Sequence, residues 1–362
     1  MVFSPSVQRI IGKKRDREEL DDEDIQVFIQ EFMAGKTSDY QLGALVMAFY
    51  LHGLTLPETI SLTRAMTNSG PLPPWPPQWR GRLADKHSTG GVGDKVSIPL
   101  VPILASLGLK VPMISGRSLG FTGGTLNKLE SIPGFRVDLS FEEMRHALET
   151  AGGCIVGQTE ALVPADKAIY ACRDQTGTVG SRSLIISSIL SKKAAEGIDH
   201  LVLDVKFGRG SYQTTQEEAE TLASELVEVG KGLGLRVTAF ITRMTNPIGR
   251  SVGNSLEILE SVQFLAGTHR APDLQELVFQ QGGELMVLAG ICRHQKEAEE
   301  EISRVLNSGE ALRTFQAVLE CQGVSKDDAR ELCFGDPWQV LPRASNTKDL
   351  SFEGTQRGEW RA

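Results

Sequence analysis

Apolar residues recur three and four apart near the start of the chain, at Ile25, Phe28, Ile29, Phe32 and Met33 and again at Leu42, Leu45, Val46, Phe49 and Tyr50. That spacing draws one apolar stripe along a helix, so about the first seventy residues are predicted to be entirely helical. Thr55-x-x-Glu58 reads as a capping box with Pro57 in the first turn, opening a helix that runs to about Met66. Gly70-Pro71-Leu72-Pro73-Pro74-Trp75-Pro76-Pro77 then leaves few helical options and reads as a stiff linker or hinge arm.

Beyond the linker the apolar runs shorten to strand length. Leu109–Ser115, Cys154–Gln158, Leu201–Phe207 and Arg236–Ile241 are expected strands. Between them lie expected helices over Val96–Leu107, Ser140–Gly152 (capped by Ser140-x-x-Glu143) and Thr215–Leu233. The alternation predicts a mostly parallel α/β sheet. Residues 164–197 break the rhythm with two consecutive helical patterns, Pro164–Val179 and Ser181–Glu196. These are expected to return to the N-terminal helices. The predicted fold class is α/β: a helical domain of residues 4–68 and 164–196, a sheet domain of residues 80–160 and 199–341, and a cleft between them. Residues 342–362 read as a disordered polar tail. Two lobes crossed by several linkers describe either a cleft enzyme that closes by hinge motion or a rigid two-lobed protein.

The 362 residues carry a net charge of −8, which argues weakly against a nucleic-acid partner but allows a local anion pocket. No apolar run approaches the length of a membrane span, and Met1-Val2-Phe3-Ser4-Pro5 lacks the apolar core of a signal peptide. The five cysteines form an odd set without a C-x-x-C pair, so neither a disulfide framework nor a zinc site follows and a cytoplasmic location is expected.

The densest chemistry lies in Asp85-Lys86-His87-Ser88-Thr89-Gly90-Gly91-Val92-Gly93-Asp94-Lys95-Val96-Ser97. Glycines without a Cβ let the backbone approach a ligand closely. With Lys86, Ser88, Thr89, Lys95 and Ser97 beside them, their N–H groups make an anion cradle, and phosphate is the natural occupant. His87 is the one side chain in this stretch that exchanges a proton near neutral pH. A second cluster, Tyr170-Ala171-Cys172-Arg173-Asp174 and Ser187–Lys193, lies in the paired helical patterns. Ser188 and Lys192, four apart, share a helix face, and Arg173 adds a planar fork suited to carbonyl oxygens or anions. Alone, such groups are most often solvated surface pairs; at a domain junction they read a polar, carbonyl-bearing molecule. The Gly-rich segment after Ser115 is where open α/β sheets place ligands, and Ser115 and Thr125 add hydroxyls there. No dinucleotide fingerprint and no Walker A sequence occurs.

In order along the chain, Lys13-Lys14-Arg15-Asp16, Asp85–Asp94, Gly123-Gly124-Thr125, Leu129–Phe135, Val163–Lys167, Arg173-Asp174, Ser188–Lys193 and Asp204-Val205-Lys206 resemble the thymidine phosphorylase and pyrimidine-nucleoside phosphorylase family. The resemblance runs from Ser6 to Leu341, and Gly93-Asp94-Lys95 favours the vertebrate branch. It implies a pentosyltransferase performing reversible phosphorolysis of thymidine or deoxyuridine to the free base and 2-deoxyribose 1-phosphate. No cofactor is implied, inorganic phosphate being a co-substrate. By family position Lys86, Ser88, Ser97, Ser115 and Thr125 would hold phosphate, while His87, Arg173, Ser188 and Lys192 would hold the pyrimidine, with His87, Arg173 and Lys192 catalytic. The resemblance also implies a homodimer through the helical domain. Bacterial members use a monovalent cation near the loop, a charge that Lys95 is expected to supply here.

Three departures mark the chain. Phe121 stands where the family has His and Asn127 where it has Asp. Gly180 and its neighbours replace an acid and a proline between the two site helices, which is expected to loosen the hold on Arg173 and Ser188. Residues from Pro342 on replace the small β-rich C-terminal domain of the family, so a truncated member with exposed apolar surface is expected. A phosphoribosyltransferase of the related fold and a catalytically impaired binding or signalling protein are the alternative readings.

Overall fold

The computed structural model describes residues 2–117 and 122–350. Four helices open the chain: α1 (Pro5–Arg15), α2 (Asp22–Met33), α3 (Asp39–His52) and α4 (Leu56–Thr67). The predicted box at Thr55 is present, with the Glu58 side chain accepting the Thr55 N–H at 2.7 Å. Glu58 also holds the buried Lys14 ammonium at 2.7 Å and the Leu20 N–H at 2.8 Å, so one carboxylate fastens α1, the α1–α2 turn and α4.

After the proline-rich arm come β1 (Ala84–Ser88), α5 (Ser97–Ser106), β2 (Val111–Ser115), α6 (Thr125–Leu129), α7 (Phe141–Thr150) and β3 (Gly153–Gly157). The excursion follows as α8 (Pro164–Thr176) and α9 (Arg182–Ala195). Then come β4 (His200–Phe207), α10 (Gln216–Gly232) and β5 (Arg236–Arg243), and five helices close the described chain: α11 (Asn254–Ala266), α12 (Pro272–Leu288), α13 (Gln295–Asn307), α14 (Glu310–Cys321) and α15 (Lys326–Phe334). As expected, α8 and α9 return to the N-terminal helices. Thr63 on α4 donates to Ser187 on α9 at 3.0 Å within the shared apolar core.

Every strand pairing is parallel. The sheet β1-β4-β5 and the pair β2-β3 are linked by a bridge between Leu83 and Lys110. Alternate residues along the strands serve two different cores, as a period of two requires. Val111, Met113, Ile155 and Val202 face a core shared with α5 and α11–α15, whereas Ile114, Cys154, Val156, Leu201, Leu203 and Val205 face the core shared with α9, α10 and the N-terminal helices. The strands end together at Ser88, Ser115, Gly157, Phe207 and Arg243, where an open parallel sheet receives ligands.

Phe121 lies outside the described residues, as does the tail from residue 351 on. Residues 342–350 carry no helix or strand and are exposed. Among the described residues no helix is long and apolar enough to cross a membrane.

Candidate active site at the carboxyl ends of the strands

The alternation of β1 divides the Asp-Lys-His-Ser motif between two faces. Lys86 and Ser88 share the face of Ala84, toward α5, while Asp85 and His87 take the opposite face, toward α9. Gly90 and Gly93 then turn the chain with φ of +90° and +74°, a region that side chains with a Cβ rarely enter.

On the α5 face the cations are buried, and Lys86 among them is loosely held. Lys86 Nζ lies 3.4 Å from Ser97 Oγ and 3.9 Å from Asp94 Oδ1. Lys206 Nζ bonds Asp204 at 2.7 Å and stands 3.9 Å from Asp94. Burial pulls the Lys86 pKa below the usual lysine range, and Asp94 and Asp204 only partly oppose it. Burial would raise the Asp94 pKa, but Lys86, Lys206, Lys128 and the Ser88 hydroxyl hold it far below the ordinary carboxylate range. Asp94 is thus a built-in anion among these ammonium groups, and Ser88 donates its proton to it at 2.6 Å. Asp204 is in turn fixed by Thr242 at 2.5 Å and by Gln281 at 2.8 Å. Asp94 and Asp204 balance the charges of Lys86 and Lys206, but the Lys86 ammonium has no close partner and keeps hydrogen-bonding capacity for an anionic guest.

Lys95 does not join this cradle. Its buried ammonium pairs with Glu260 at 3.0 Å and donates to the Ile248 carbonyl at 2.5 Å, and Ile248 in turn packs on the loop, its N–H donating to the Val92 carbonyl at 3.2 Å. Ser115 ends β2 and Thr125 opens α6, and neither hydroxyl bonds Lys86, Ser88 or Ser97. Asn127 is accommodated, its Oδ1 accepting the Gly124 N–H at 3.3 Å.

On the other face the side chains are tightly held. Lys192 Nζ bonds Asp166 on α8 at 2.5 Å and Ser188 Oγ at 2.9 Å, as the four-residue spacing anticipates. Arg173 is buried, donates to the Val179 and Leu184 carbonyls, and lies 5.4 Å from the Tyr170 ring; its Nε has no partner among the described residues. The turn around Gly180 is therefore bound by Arg173 itself. A Cβ at Gly180 would meet only Tyr50, at 3.9 Å.

His87 links the two faces. Burial and the ammonium groups of Lys193, Lys192 and Lys86 push its pKa well below the ordinary histidine value, so near neutral pH the ring is an uncharged N–H donor. Those neighbours show that α9, with its Ser188 and Lys192, stands beside β1.

Residues 8–70 match the glycosyl transferase family, helical bundle domain, and residues 80–312 match the glycosyl transferase family, a/b domain. The chain is 51% identical over 344 residues to the thymidine phosphorylase of Rattus norvegicus, covering 94% of this chain and 72% of that protein. The chain belongs to the thymidine phosphorylase family. The human member is 50% identical over 94% of this chain and 71% of its own length, and the Rhizobium meliloti member 47% identical over 88% and 72%. Among solved structures, anthranilate phosphoribosyltransferase from Thermus thermophilus shares the fold with a TM-score of 0.69 and 20% identity, covering 86% of this chain and 98% of that one. Against family members, this chain spans a little under three quarters of the length.

Asp94, Lys206, Asp204 and Asp166 were given no role on sequence grounds, though the structure places them in contact with the candidate site. The signal for two of them lies in Leu-Val-Leu-Asp-Val-Lys-Phe: an acid and a base two apart on a buried strand must share a face and find partners there.

Proposed function

We propose that this chain catalyses the reversible phosphorolysis of thymidine and deoxyuridine, giving the free pyrimidine and 2-deoxy-D-ribose 1-phosphate. The observation that carries the reading is the division of one strand's motif. Lys86 and Ser88 face a cation-rich cradle, and His87 faces the helix that presents Ser188 and Lys192. Phosphate enters the cradle against Lys86, Ser88 and Ser97, with Ser115 and Thr125 at its rim. Its charge offsets the desolvation that depresses the Lys86 pKa, and Ser88 turns its proton from Asp94 to the incoming oxygen.

The pyrimidine lies against Arg173, Ser188, Lys192 and His87. As the C1′–N1 bond breaks, its electron pair leaves with the base, and charge gathers on the ring nitrogen and the carbonyl oxygens. Arg173, Lys192 and the neutral His87 N–H stabilise that charge. A phosphate oxygen then forms the bond to C1′ from the opposite face of the sugar, and the base anion takes up the proton that hydrogen phosphate gives up on becoming the ester. Holding both reactants between the lobes replaces a chance encounter by a positioned pair.

A phosphoribosyltransferase reading has the fold alone behind it, whereas the thymidine phosphorylase reading has identity near 50% behind it. We also propose a cytoplasmic homodimer: the cysteines are all free, and Tyr40, Tyr50 and Leu51 stand exposed on α3 as apolar surface for a second copy. Release of thymine from thymidine only when phosphate is present tests the activity. Sedimentation of the Tyr40→Glu, Leu51→Glu double variant tests the dimer, which these charges should dissociate.

A further inference from the structure

Immediately beneath the candidate site lies a buried cluster that the proposed chemistry does not use. Lys193, next to Lys192 on α9, donates to Asp85 Oδ2 on β1 at 2.5 Å, to Glu196 Oε1 at 2.7 Å and to the Ile114 carbonyl on β2 at 2.7 Å. Glu196 Oε1 also accepts the Ile114 N–H at 2.9 Å. The proline-rich arm closes the cluster from outside, with the Trp75 indole N–H donating to the Glu196 carbonyl at 2.6 Å. Four segments therefore meet here: α9, β1, β2 and the interdomain arm.

The charges do not balance if all three groups are ionised: two carboxylates would share one ammonium in a site closed to water. The hydrogen-bond accounting points the same way. Among the described residues, the buried Asp85 Oδ1 and Glu196 Oε2 have no partner, and each belongs to a carboxyl whose other oxygen is engaged. One proton between them satisfies both. We propose that Glu196 is a positioning residue whose Oε2 carries a proton donated to Asp85 Oδ1, making a neutral Asp85–Lys193–Glu196 joint that fixes α9 against β1. Burial and the adjacent Asp85 raise the Glu196 pKa well above its ordinary value, which agrees with this protonation. Burial alone would lower the Lys193 pKa, yet Asp85 and Glu196 outweigh it and raise it, so Lys193 keeps its charge. Two further titratable groups face the joint: His87 on β1, whose pKa burial and Lys193 lower so that it stays neutral, and the Cys154 thiol on β3 (with Cys321 behind it on α14), whose pKa burial, Glu196 and Asp85 push up.

The joint sets the spacing between His87 and Lys86 on β1 and Ser188 and Lys192 on α9. Its effect on turnover rests on the proposed phosphorolysis, whereas its effect on stability does not. Glutamine is the isostere of a protonated glutamate: its oxygen accepts from Ile114 and Lys193 and its amide donates to Asp85. An acid whose folded pKa is raised above 4.5 makes the wild-type fold lose stability as pH rises from that value toward the folded pKa. Glu196→Gln escapes this loss.

The test is the melting temperature of wild type and Glu196→Gln from pH 5 to pH 8.5, with infrared difference spectra and kinetics at neutral pH. The expected result is a variant that gains on wild type steadily as pH rises. It also lacks one protonated-carboxyl C=O band and keeps kcat/KM within about twofold, while Glu196→Ala, which lets α9 shift, loses roughly tenfold or more. A melting difference that is constant across pH, a wild-type spectrum without that band, or a Gln variant that fails to fold would overturn the proposal. If neither protein releases thymine while the stability and infrared results hold, the functional reading falls and the joint stands.

Discussion

The two sides of strand β1 hold their cations in opposite ways. In the cradle, Lys86 is buried but has only partners at 3.4 and 3.9 Å. Across the strand, Lys192 sits 2.5 Å from Asp166, and Arg173 is tied to two backbone carbonyls that close the α8–α9 turn. A desolvated, under-bonded ammonium gains most from an incoming anion, because the protein has paid its desolvation without completing its pairing. The bound cations suit a different task. A base carbonyl develops charge only in the transition state, and donors held rigidly beforehand need no reorganisation at that moment.

That contrast is broken or sharpened by four measurements. The largest effect belongs to Arg173→Ala, which removes both the fork on the base and the clasp on the turn. Turnover efficiency should fall roughly 10²–10³-fold, and the melting temperature should fall with it. Unchanged melting would mean that the carbonyl bonds to Val179 and Leu184 carry little. Next comes Lys86→Ala, for which the phosphate KM should rise roughly 10- to 100-fold with little loss of stability, since Asp94 keeps Lys206 and Lys128 as counter-charges. A destabilised protein with an unchanged phosphate KM would reverse the comparison. The third is the nuclear magnetic resonance titration of the His87 ring. Its midpoint should lie well below 6.5 in the free protein and move up when phosphate binds, because a dianion offsets the field of Lys86, Lys192 and Lys193. The smallest effect is expected from Gly180→Ala, whose new methyl meets only Tyr50; stability should stay within about 0.5 kcal/mol.

How much of this was legible in the sequence varied with the range of the forces involved. Four of the five described strands, the capping boxes at Thr55 and Ser140 and the helical excursion were readable because each is written in local spacing, whereas β1 was not expected, its Asp-Lys-His-Ser residues lacking an apolar run. The Ser188–Lys192 contact was readable for the same reason, being one helical turn. The partners of Lys95 were not readable, since its neighbours along the chain are cradle residues while Ile248 and Glu260 lie more than a hundred residues on. Asp94 was hidden as the cradle's internal anion because its counter-charges Lys86, Lys128 and Lys206 come from three separate segments. The bonds by which Arg173 holds the turn around Gly180 were hidden too, being made by a side chain to backbone carbonyls.

The central claim is that one strand serves phosphate on one face and the pyrimidine on the other. The most direct test is thymine release from thymidine by the purified chain over a range of phosphate concentrations, with Lys86→Ala and His87→Ala alongside. The account predicts release that requires phosphate, a Lys86 variant rescued toward wild-type rates by high phosphate, and a His87 variant that is not. Release without phosphate, or two variants that respond alike to it, would contradict the division of the strand.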